Sequence, residues 1–350
     1  MTPPPVIHGM IEAALKAAHI ALLRRKNDVQ VIRKPDGSFV TSGDYQAQQI
    51  IEAELRKISP SALGVEAIYF LCEESLDGKA HDFAGRKKGA HWVIDPIDGT
   101  IGYKQKRGDA EPKPWAVSIG LEQDGKTIAA VVYEASPGEY GTVAADFDGI
   151  TPQSPQGNIF WAHRDVPHAH RLEGHFRVTP AHGSAYAEQA NGDGLMTLTY
   201  PLPELAVDYS GAAHSVLNET TPLPAGATHL IDGFYQDKQP GAPAGAPLKR
   251  RFLQGCDLGE GEYQSCFSSV AGAMQAASGR ARSFMVGGGF PWDVSAARLI
   301  LEKSATALAE YAMVGAEGVR TLMIAGRDLP MFERMKNSVE TMQDHEASRW

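Results

Sequence analysis

Apolar residues recur every three or four positions along several stretches of the chain, which is the spacing of one face of a helix. Along residues 6–26 this pattern ends in the basic run Arg24-Arg25-Lys26, which suits a helix C-terminus. Further helices are predicted at residues 45–58, 263–277, 293–303 and 329–339. Short apolar runs bounded by turn residues predict strands at residues 67–71, 92–94, 115–121, 127–133, 195–200, 228–234, 281–286 and 321–325.

The connections between these elements indicate the fold class. Asp124-Gly125 separates two apolar runs, and a two-residue loop that contains glycine is typical of a tight hairpin. Hairpins place neighbouring strands antiparallel, so the interleaved helices and strands favour a layered α+β protein over a doubly wound parallel sheet. We divide the chain into an N-terminal α+β half, residues 1–190, and a C-terminal α/β half, residues 191–350.

Composition narrows the class of protein. The chain has 350 residues, of which 43% are hydrophobic and 21% charged, as in globular proteins and unlike disordered chains or coiled coils. No run approaches the ~20 consecutive apolar residues of a membrane span, and the N-terminus lacks the basic start and apolar core of a signal peptide. We therefore expect a cytoplasmic protein without a membrane partner, in which the three cysteines are reduced.

The net charge limits the classes of ligand that the protein is expected to bind. The 33 basic and 42 acidic residues give a net charge of −9, and an acidic surface repels a phosphate backbone. No nucleic-acid polymer is therefore expected as a partner. A small phosphorylated metabolite is compatible with this charge if bound cations reverse the local potential.

Three groups of acidic residues stand where predicted strands end or a helix begins. Glu73-Glu74 follows one apolar run, Asp95-Pro-Ile-Asp-Gly-Thr100 follows a second, and Trp292-Asp293 opens a predicted helix. A buried strand holds the residues that follow it at the rim of a sheet, so these carboxylates are candidates for a shared site. Carboxylate oxygens suit hard cations such as Mg²⁺, and the backbone amides of Gly99 and Thr100 suit a phosphate.

Each acidic group also has a simpler interpretation. Asp-Pro-Ile-Asp-Gly is a common turn, and Asp293 is a common helix N-cap. However, two like charges ~4 Å apart cost about 4 kcal/mol at an effective dielectric constant of ~20. Four converging carboxylates would therefore destabilise an empty site, and the three motifs contain no Lys or Arg to offset them. Taken together, the motifs predict a metal centre.

The order of these motifs resembles the lithium-sensitive, magnesium-dependent phosphatase superfamily, which includes inositol monophosphatases and 3′(2′),5′-bisphosphate nucleotidases. The family pattern is Thr-x-x-Asp, Glu-Glu, Asp-Pro-Ile/Leu-Asp-Gly-Thr/Ser and Trp-Asp, and its first part is matched by Thr41-Ser-Gly-Asp44. The resemblance covers about residues 6 to 303. It implies a layered α-β-α-β-α sandwich and a Mg²⁺-dependent, Li⁺-inhibited phosphomonoesterase, and the family favours a homodimer.

The resemblance also implies a role for each matching residue. Two or three Mg²⁺ ions would be bound by Glu73, Asp95, the backbone carbonyl of Ile97, Asp98 and Asp293. Thr100 and Asp44 would orient the attacking water, with Glu74 in support. The amides of Gly99 and Thr100 would hold phosphate oxygens, and hydrolysis by a metal-activated water would need no phosphoenzyme.

The substrate is indicated by two positions. Inositol monophosphatases usually carry a glutamate that binds sugar hydroxyls seven residues before the aspartate of Trp-Asp, and this position is Val286 here. An apolar side chain cannot accept those hydrogen bonds. Gly99-Thr-Ile-Gly-Tyr103 instead resembles the Gly-Thr-Lys-Gly-Phe of bisphosphate nucleotidases. We therefore favour a 3′(2′),5′-bisphosphate nucleotide, with inositol 1-phosphate or a sugar (bis)phosphate as alternatives.

Departures from the family pattern leave a second class of protein as an alternative. Ile101 replaces the lysine of that motif, residues 104–114 resemble an insertion, and Glu302-Lys-Ser-Ala-Thr306 replaces Glu-Ala-Gly-Gly. The rival is a non-catalytic module that binds a phosphorylated metabolite on the same fold.

Two other stretches carry no clear chemistry. Residues 237–247 are rich in Pro, Gly and Ala and predict a surface loop. A histidine-rich stretch matches no zinc spacing, so a solvated loop is favoured over a metal site; its members are His163, His168, His170, His175 and His182.

Overall fold

The computed structural model describes residues 2–26, 30–34, 38–74, 88–104, 113–135, 155–180, 187–192, 194–218, 223, 226–233, 248–259, 261–315 and 318–345. Within these ranges the helices are α1 (Pro5–Lys26), α2 (Ser42–Leu55), α3 (Thr100–Tyr103), α4 (Leu248–Gly255), α5 (Ser269–Ala277), α6 (Pro291–Lys303) and α7 (Leu329–His345), with a 3-10 turn at Pro60–Leu63.

The strands of the first half are β1 (Val31–Arg33), β2 (Phe39–Thr41), β3 (Ile68–Cys72), β4 (Ala90–Asp98), β5 (Ala116–Gln123), β6 (Lys126–Ala135), β7 (Gln156–His163), β8 (Ala169–His175), β9 (Arg177–Pro180) and β10 (Glu188–Ala190). Those of the second half are β11 (Met196–Leu198), β12 (Leu205–Asp208), β13 (Ala213–Leu217), β14 (His229–Gly233), β15 (Tyr263–Gln264), β16 (Ser283–Gly289), β17 (Ala307–Gly315) and β18 (Gly318–Gly326).

Helices and sheets alternate in five layers. Helices α1 and α2 cover one face of a seven-stranded sheet with the order β13-β8-β7-β6-β5-β4-β3. The other face of this sheet packs on α5 and α6, which also cover a five-stranded sheet with the order β15-β14-β16-β18-β17. Helices α4 and α7 close the far face of the second sheet. The predicted α-β-α-β-α sandwich is confirmed.

Both large sheets are mixed, as the sequence predicts. In the first, β3 and β4 run parallel and the remaining pairs are antiparallel. In the second, β14, β15 and β16 run parallel, whereas β18 is antiparallel to both β16 and β17. The three parallel strands therefore end at the same edge, and this edge carries the site described below.

The predicted hairpin at Asp124-Gly125 is confirmed. Asp124 and Gly125 have φ angles of 51° and 76°, and they connect the antiparallel strands β5 and β6. Two successive positive φ angles define the type I′ turn, whose twist matches that of a hairpin. β5 and β6 lie near the centre of the first sheet, and β5 pairs with β4.

The predicted helix over residues 263–277 is wrong in its first part. Tyr263–Gln264 forms β15, and α5 begins at Ser269. Ser268 is the N-cap of this helix, and its Oγ accepts a hydrogen bond from the backbone N–H of Ala271 at 3.1 Å. The apolar spacing continues upstream of the cap, so periodicity alone misplaces the start of the helix.

The histidine-rich stretch is not a solvated loop throughout. His170 lies in β8, is 3% exposed, and stacks on Trp161 with ring centroids 4.0 Å apart. Burial lowers the pKa of His170 to about 4, so its ring packs as a neutral group. Among the five histidines, His168 and His175 are exposed. His182, most of the 104–114 insertion and residues 237–247 lie outside the described residues.

Helix α1 is a core helix of the first layer. It is the one helix in the described ranges that is long and apolar enough to cross a membrane, with a mean hydropathy of 1.4 over its apolar window. However, 78% of that window is buried inside the fold, against α2 and the first sheet. Such burial is typical of a helix that packs in a protein core.

Candidate active site

Asp95 and Asp98 lie at the end of β4, where the strand pairing is irregular. Asp95 is opposite Ser118 and Asp98 is opposite Ala116, so the register shifts between the two aspartates. Residues three apart point to opposite faces of a regular strand, and an irregularity of this kind redirects side chains. Asp95 also accepts a hydrogen bond from the Ile97 backbone N–H at 3.0 Å, which fixes its carboxylate.

Gly99 turns the chain from β4 into α3. Its φ is +86°, and a Cβ at this position would lie 2.8 Å from both the Pro114 carbonyl oxygen and the Ser268 Cβ. Glycine is therefore required by conformation and by space. The turn brings Thr100, the first residue of α3, back towards the end of β4.

Asp293 reaches the same place from the second sheet. It is the third residue of α6, and its carboxylate accepts a hydrogen bond from the Phe290 backbone N–H at 2.7 Å. The N-cap of α6 is Phe290, so the simpler interpretation of Asp293 as the N-cap is wrong: Asp293 bonds back to the N-cap from the third helical position and also joins the other aspartates. Asp95, Asp98 and Asp293 offer carboxylate oxygens that lie within 4.8 Å of one another.

Burial makes these three carboxylates unfavourable as bare anions. They are 1%, 7% and 8% exposed, in the order Asp95, Asp98, Asp293. Burial, followed by the charges of neighbouring carboxylates, raises the pKa of Asp95 and of Asp293 well above its usual range. Burial raises the pKa of Asp98 to about 7, although hydrogen bonds from Ser268 Oγ and the Val270 N–H oppose this shift. A divalent cation would offset these penalties, so the set fits a hard metal ion.

Glu73 and Glu74 follow β3, and both contact a lysine that lies outside the three motifs. Glu73 is close enough to Asp95 for a hydrogen bond between their carboxyl groups. Lys34 Nζ donates to Glu73 Oε1 at 3.1 Å and to Glu74 Oε1 at 2.5 Å. The charge is thus partly balanced from a distant part of the chain, which corrects the expectation of an acidic set without a nearby base. No local signal around Lys34 indicates this contact.

The environment of Glu74 is otherwise fixed by α2. The Glu74 N–H donates to Gln48 Oε1 at 3.1 Å, and the Gln48 side-chain amide donates back to the Glu74 carbonyl. Burial and the charge of Glu73 raise the pKa of the Glu74 carboxyl group to about 9, against the opposing effect of Lys34. Glu74 is therefore buried, at 4% exposed, beside Glu73, Lys34 and Asp44.

Asp44 and Thr100 form a second part of the site. Thr100 Oγ1 lies 3.4 Å from Asp44 Oδ1 and 3.3 Å from the Ile97 carbonyl oxygen. The other oxygen of Asp44 accepts hydrogen bonds from the backbone N–H of Thr41, at 2.9 Å, and from the Thr41 hydroxyl group. Burial raises the pKa of Asp44 to about 7. A hydroxyl group and a carboxyl group that titrates near neutrality are thus adjacent at the end of β4.

The structure brings together all the candidate residues named from the sequence and adds others. Val286 differs from them, because it is fully buried in the core between the two sheets. The residues that sequence reasoning missed are Lys34, Gln48, Ser268 and the backbone amide of Val270. Of these, only Ser268 carries a sequence signal, as a serine before an apolar helical run.

The chain is thus a layered α+β sandwich protein that carries a group of buried carboxylates beside a Thr–Asp pair. The chain belongs to the inositol monophosphatase family, because the profile of that family matches residues 3–187, just over half of the chain. Members of this family are phosphatases.

Curated relatives match a little more than a third of the chain. An inositol-1-monophosphatase of Mesorhizobium japonicum is 33% identical over 140 residues, which are 39% of this chain and 46% of the relative. The 3′(2′),5′-bisphosphate nucleotidase CysQ of Buchnera aphidicola is 30% identical over 131 residues, 37% of this chain and 44% of the relative. The Nus factor SuhB of Vibrio cholerae is 31% identical over 140 residues, which are 39% of this chain and 46% of the relative. The match thus spans less than half the length of each relative.

Solved structures share the fold over nearly the whole chain. The SuhB protein of Bartonella henselae superposes with a TM-score of 0.57 at 18% identity, covering 95% of this chain and 99% of that one. Inositol monophosphatase-II of Staphylococcus aureus superposes with a TM-score of 0.52 at 16% identity, and 97% of both chains is covered. At this level of identity the similarity concerns the fold alone.

Proposed function

We propose that this protein is a Mg²⁺-dependent phosphomonoesterase that hydrolyses a small phosphorylated metabolite with a water nucleophile. The observation that carries this proposal is the group of three buried carboxylates, Asp95, Asp98 and Asp293, whose oxygens lie within 4.8 Å of one another. Buried acidic groups without a full set of basic partners are the donor set that a hard cation requires. The family supports the same reaction class, because its members are phosphatases.

The carboxylates divide between two ions in this proposal. Glu73, Asp95 and the Ile97 carbonyl would hold one Mg²⁺, Asp95, Asp98 and Asp293 would hold a second, and Glu73 would contribute to a weaker third. When bound, the ions supply positive charge that lowers the pKa of a water and stabilises the leaving oxygen. The protein orients the carboxylates, since Asp95 and Asp293 accept a backbone hydrogen bond from within their own segments, Asp98 accepts one from the start of α5, and Glu73 accepts one from Lys34.

Thr100 and Asp44 would position the nucleophile. The Thr100 hydroxyl group donates to Asp44 or to the Ile97 carbonyl, which leaves its oxygen free to accept a hydrogen bond from a water. Asp44, whose pKa burial raises to about 7, is suited to take up the proton at neutral pH. Glu74 would support this part of the site, and the Gly99 and Thr100 amides would bind phosphate oxygens at the start of α3.

A nucleoside 3′(2′),5′-bisphosphate is the substrate that we favour within this class. The Gly99-Thr-Ile-Gly-Tyr103 segment and the bisphosphate nucleotidase among the relatives support it. Inositol 1-phosphate and a sugar (bis)phosphate are the alternatives, because relatives named inositol-1-monophosphatase match equally long segments. We further propose inhibition by Li⁺ in a Mg²⁺ position, a homodimer, and a cytoplasmic location without a membrane or nucleic-acid polymer as partner.

Phosphate release from a panel of monoesters, measured with and without Mg²⁺ and Li⁺, tests the proposal. The Asp95→Asn variant removes one shared ligand with little change of shape, and we expect turnover to fall by at least about a hundredfold. Asp165→Asn is the matched control, because Asp165 is 74% exposed in the turn between β7 and β8. Undiminished activity of Asp95→Asn would refute the metal assignment.

The same panel separates the enzyme from the rival class. A non-catalytic module, to which the relatives named Nus factor SuhB give some support, would bind phosphorylated ligands without releasing phosphate from any of them. Binding that is independent of Mg²⁺, measured by calorimetry on the wild-type protein, would favour this rival.

A further inference from the structure

Phe267 has an unusual backbone conformation close to the candidate active site. Its φ is +57°, a left-handed value that bulky side chains rarely adopt. In the described part of the chain, the other non-glycine residues with a positive φ are Asp124, Asp257 and Ala305. Aspartate tolerates this conformation and alanine is small, so Phe267 is the most strained of the four. Strain of this kind persists where the surrounding structure enforces it, and it clusters at functional sites.

The ring of Phe267 does not belong to the core. Phe267 is 38% exposed, and it is a member of none of the four hydrophobic clusters formed by the described residues. The residues on either side of it, Cys266 and Ser268, are 3% and 1% exposed. The chain is thus anchored directly before and after Phe267, while the residue between the anchors stays at the surface. Core packing therefore does not explain a phenylalanine at this position.

Phe267 adjoins the turn that is proposed to bind the phosphate. Its carbonyl oxygen would lie 3.2 Å from a Cβ built on Gly99, and the Oγ of the next residue, Ser268, donates to Asp98 Oδ2 at 2.5 Å. Because Asp98 and its carboxylate partners are buried, the organic part of an ester bound there extends towards the surface. Phe267 therefore lies beside the organic part of the substrate and not beside its phosphate.

Two other side chains give this rim an apolar character. Ile101, which follows the same turn in α3, is 45% exposed. The Lys113 ammonium group lies 3.9 Å from the centroid of the Phe267 ring, in a cation–π contact. One ammonium group covers only one face of a ring, so part of the Phe267 ring stays open to a ligand. The rim thus presents an apolar, partly aromatic surface next to the phosphate-binding turn.

We propose that Phe267 is a specificity-determining residue, whose ring stacks on a planar aromatic ring in the organic part of the substrate. This inference rests on the proposed phosphomonoesterase function. Stacking needs a flat π face, which a nucleobase or an aryl group provides and a polyol or a saturated ring does not. Stacking of a base on an aromatic side chain corresponds to about fivefold to a hundredfold in affinity.

Two substrate pairs that differ in one ring test this inference. The first pair is 2-phenylethyl phosphate and 2-cyclohexylethyl phosphate, whose leaving alcohols have similar acidity, so a difference reports recognition and not intrinsic reactivity. The second pair is adenosine 3′-phosphate and methyl riboside 3-phosphate, which differ in the nucleobase. The ratio of kcat/KM within each pair is measured with Mg²⁺ for the wild-type protein, Phe267→Trp, Phe267→Leu, Phe267→Gly and the control Asp165→Asn.

We expect the wild-type protein, Phe267→Trp and Asp165→Asn to prefer the aromatic member by about fivefold or more. A preference in both pairs would assign the surface to any planar ring, and a preference in the nucleoside pair alone would assign it to a nucleobase. Phe267→Leu and Phe267→Gly should bring the ratio close to one, mainly through KM, because stacking acts equally on the bound substrate and the transition state.

The Phe267→Gly variant also tests the strain. Glycine adopts a positive φ without a steric penalty, so we expect the Tm of Phe267→Gly to equal or exceed that of the wild-type protein while the aromatic preference is lost. A lower Tm with an unchanged ratio would assign the ring to the fold and overturn the inference.

Two further results would overturn it. The first is an equal kcat/KM for both members of both pairs in the wild-type protein, a result that needs no variant. The second is weaker Mg²⁺ binding in Phe267→Leu and Phe267→Gly, measured by calorimetry, with an equal loss of activity on both members, since Phe267 would then act through Ser268. Failure of the proposed function has a different signature, because the wild-type protein would then release phosphate from none of the four compounds.

Discussion

Lys34 Nζ lies 3.1 Å from Glu73 Oε1, so a lysine outside the acidic motifs places a positive charge beside a candidate metal ligand. Its ammonium group also contacts Glu74, at 2.5 Å, and its side chain is 21% exposed. Burial alone would lower the pKa of Lys34, but the two glutamates raise it above its usual value. Lys34 therefore stays charged and balances part of the acidic site.

Replacing Lys34 by Met should destabilise the metal-free protein and strengthen the binding of Mg²⁺. We expect the free energy of unfolding in a chelating buffer to fall by about 1–3 kcal/mol, because a buried carboxylate loses its charged partner. Mg²⁺ should bind several-fold more tightly, since it no longer competes with the ammonium group. Denaturant unfolding with and without Mg²⁺, together with calorimetry, measures both effects.

Lys57→Met is the control for this experiment. Lys57 is 66% exposed and pairs only with Glu54, three residues earlier, among the contacts described for it. Exposed pairs of this kind contribute little to stability. Equal stability of Lys34→Met and the wild-type protein in the chelating buffer would contradict the proposed balance of charge.

Thr100 offers a test of how the nucleophile is positioned. If its hydroxyl group and Asp44 orient a water, Thr100→Ala should lower kcat by about a hundredfold or more, because general acid–base assistance contributes that much. Thr100→Ser keeps the hydroxyl group and should retain most of the activity. Steady-state kinetics on any substrate found in the phosphate-release panel gives kcat and KM separately.

A structural role for Thr100 predicts a different outcome. Loss of stability in Thr100→Ala, with kcat close to that of the wild-type protein, would show that the Asp44 contact only supports the fold. Mg²⁺ binding should be unchanged in both variants, since the side chain of Thr100 is not among the proposed ligands.

Stability of the metal-free protein should fall as pH rises above about 6.5. Burial raises the pKa of Asp44 and of Asp98 to about 7 and that of Glu74 to about 9, so the folded state binds more protons than the unfolded state below these values. The free energy of unfolding then falls with rising pH, by of the order of 1 kcal/mol per pH unit for each group that titrates. Above pH 7 the slope comes mainly from Glu74, because Asp44 and Asp98 have by then largely ionised in the folded state as well. Below pH 6.5, His170, whose pKa is lowered, contributes a smaller slope of opposite sign.

Thermal unfolding between pH 6.5 and 9, with a chelator or with Mg²⁺, measures this dependence. Mg²⁺ should raise the Tm more at pH 9 than at pH 6.5, because the ionised carboxylates are the form that it binds. Glu74→Gln should flatten the slope in the chelator, since the pKa of Glu74 is about 9 and this group contributes to the slope over the whole range. A Tm that rises with pH in the chelator would mean that these carboxyl groups are not destabilising when ionised.

Gly43 is expected to be intolerant of even a methyl group. A Cβ on Gly43 would lie 2.2 Å from the Tyr103 hydroxyl oxygen, and this hydroxyl donates to the Ala21 carbonyl at 2.7 Å. Gly43→Ala should therefore destabilise the protein by about 1–3 kcal/mol, as overpacking does. It should also lower activity, since Asp44 is the next residue along α2.

Gly192→Ala is the matched substitution for comparison. No heavy atom lies within 4 Å of a Cβ built on Gly192, so we expect a change in the free energy of unfolding below about 0.5 kcal/mol. Denaturant unfolding of the two variants provides the measurement. Similar stabilities would indicate that α2 and α3 move apart easily at Gly43.

The sequence alone determined the fold class and the acidic residues of the candidate site. Residues 95–100 carry their own turn signals, namely a proline that fixes the strand end and a glycine whose φ is positive. These six consecutive residues therefore suffice to predict the turn at the end of β4. The same holds for the hairpin at Asp124-Gly125 and for the start of α6 at Pro291. These features depend on neighbours that are close along the chain.

Tertiary structure decided which residues meet. Lys34 reaches Glu73 across 39 positions, and Ser268 binds Asp98 across 170, so no local pattern reports either contact. The helix predicted at 263–277 was misplaced for this reason, since β14 pairs with Tyr263 and Asp98 holds the helix start. Periodicity describes the preferences of a segment, whereas these contacts arise from the packing of whole sheets and helices.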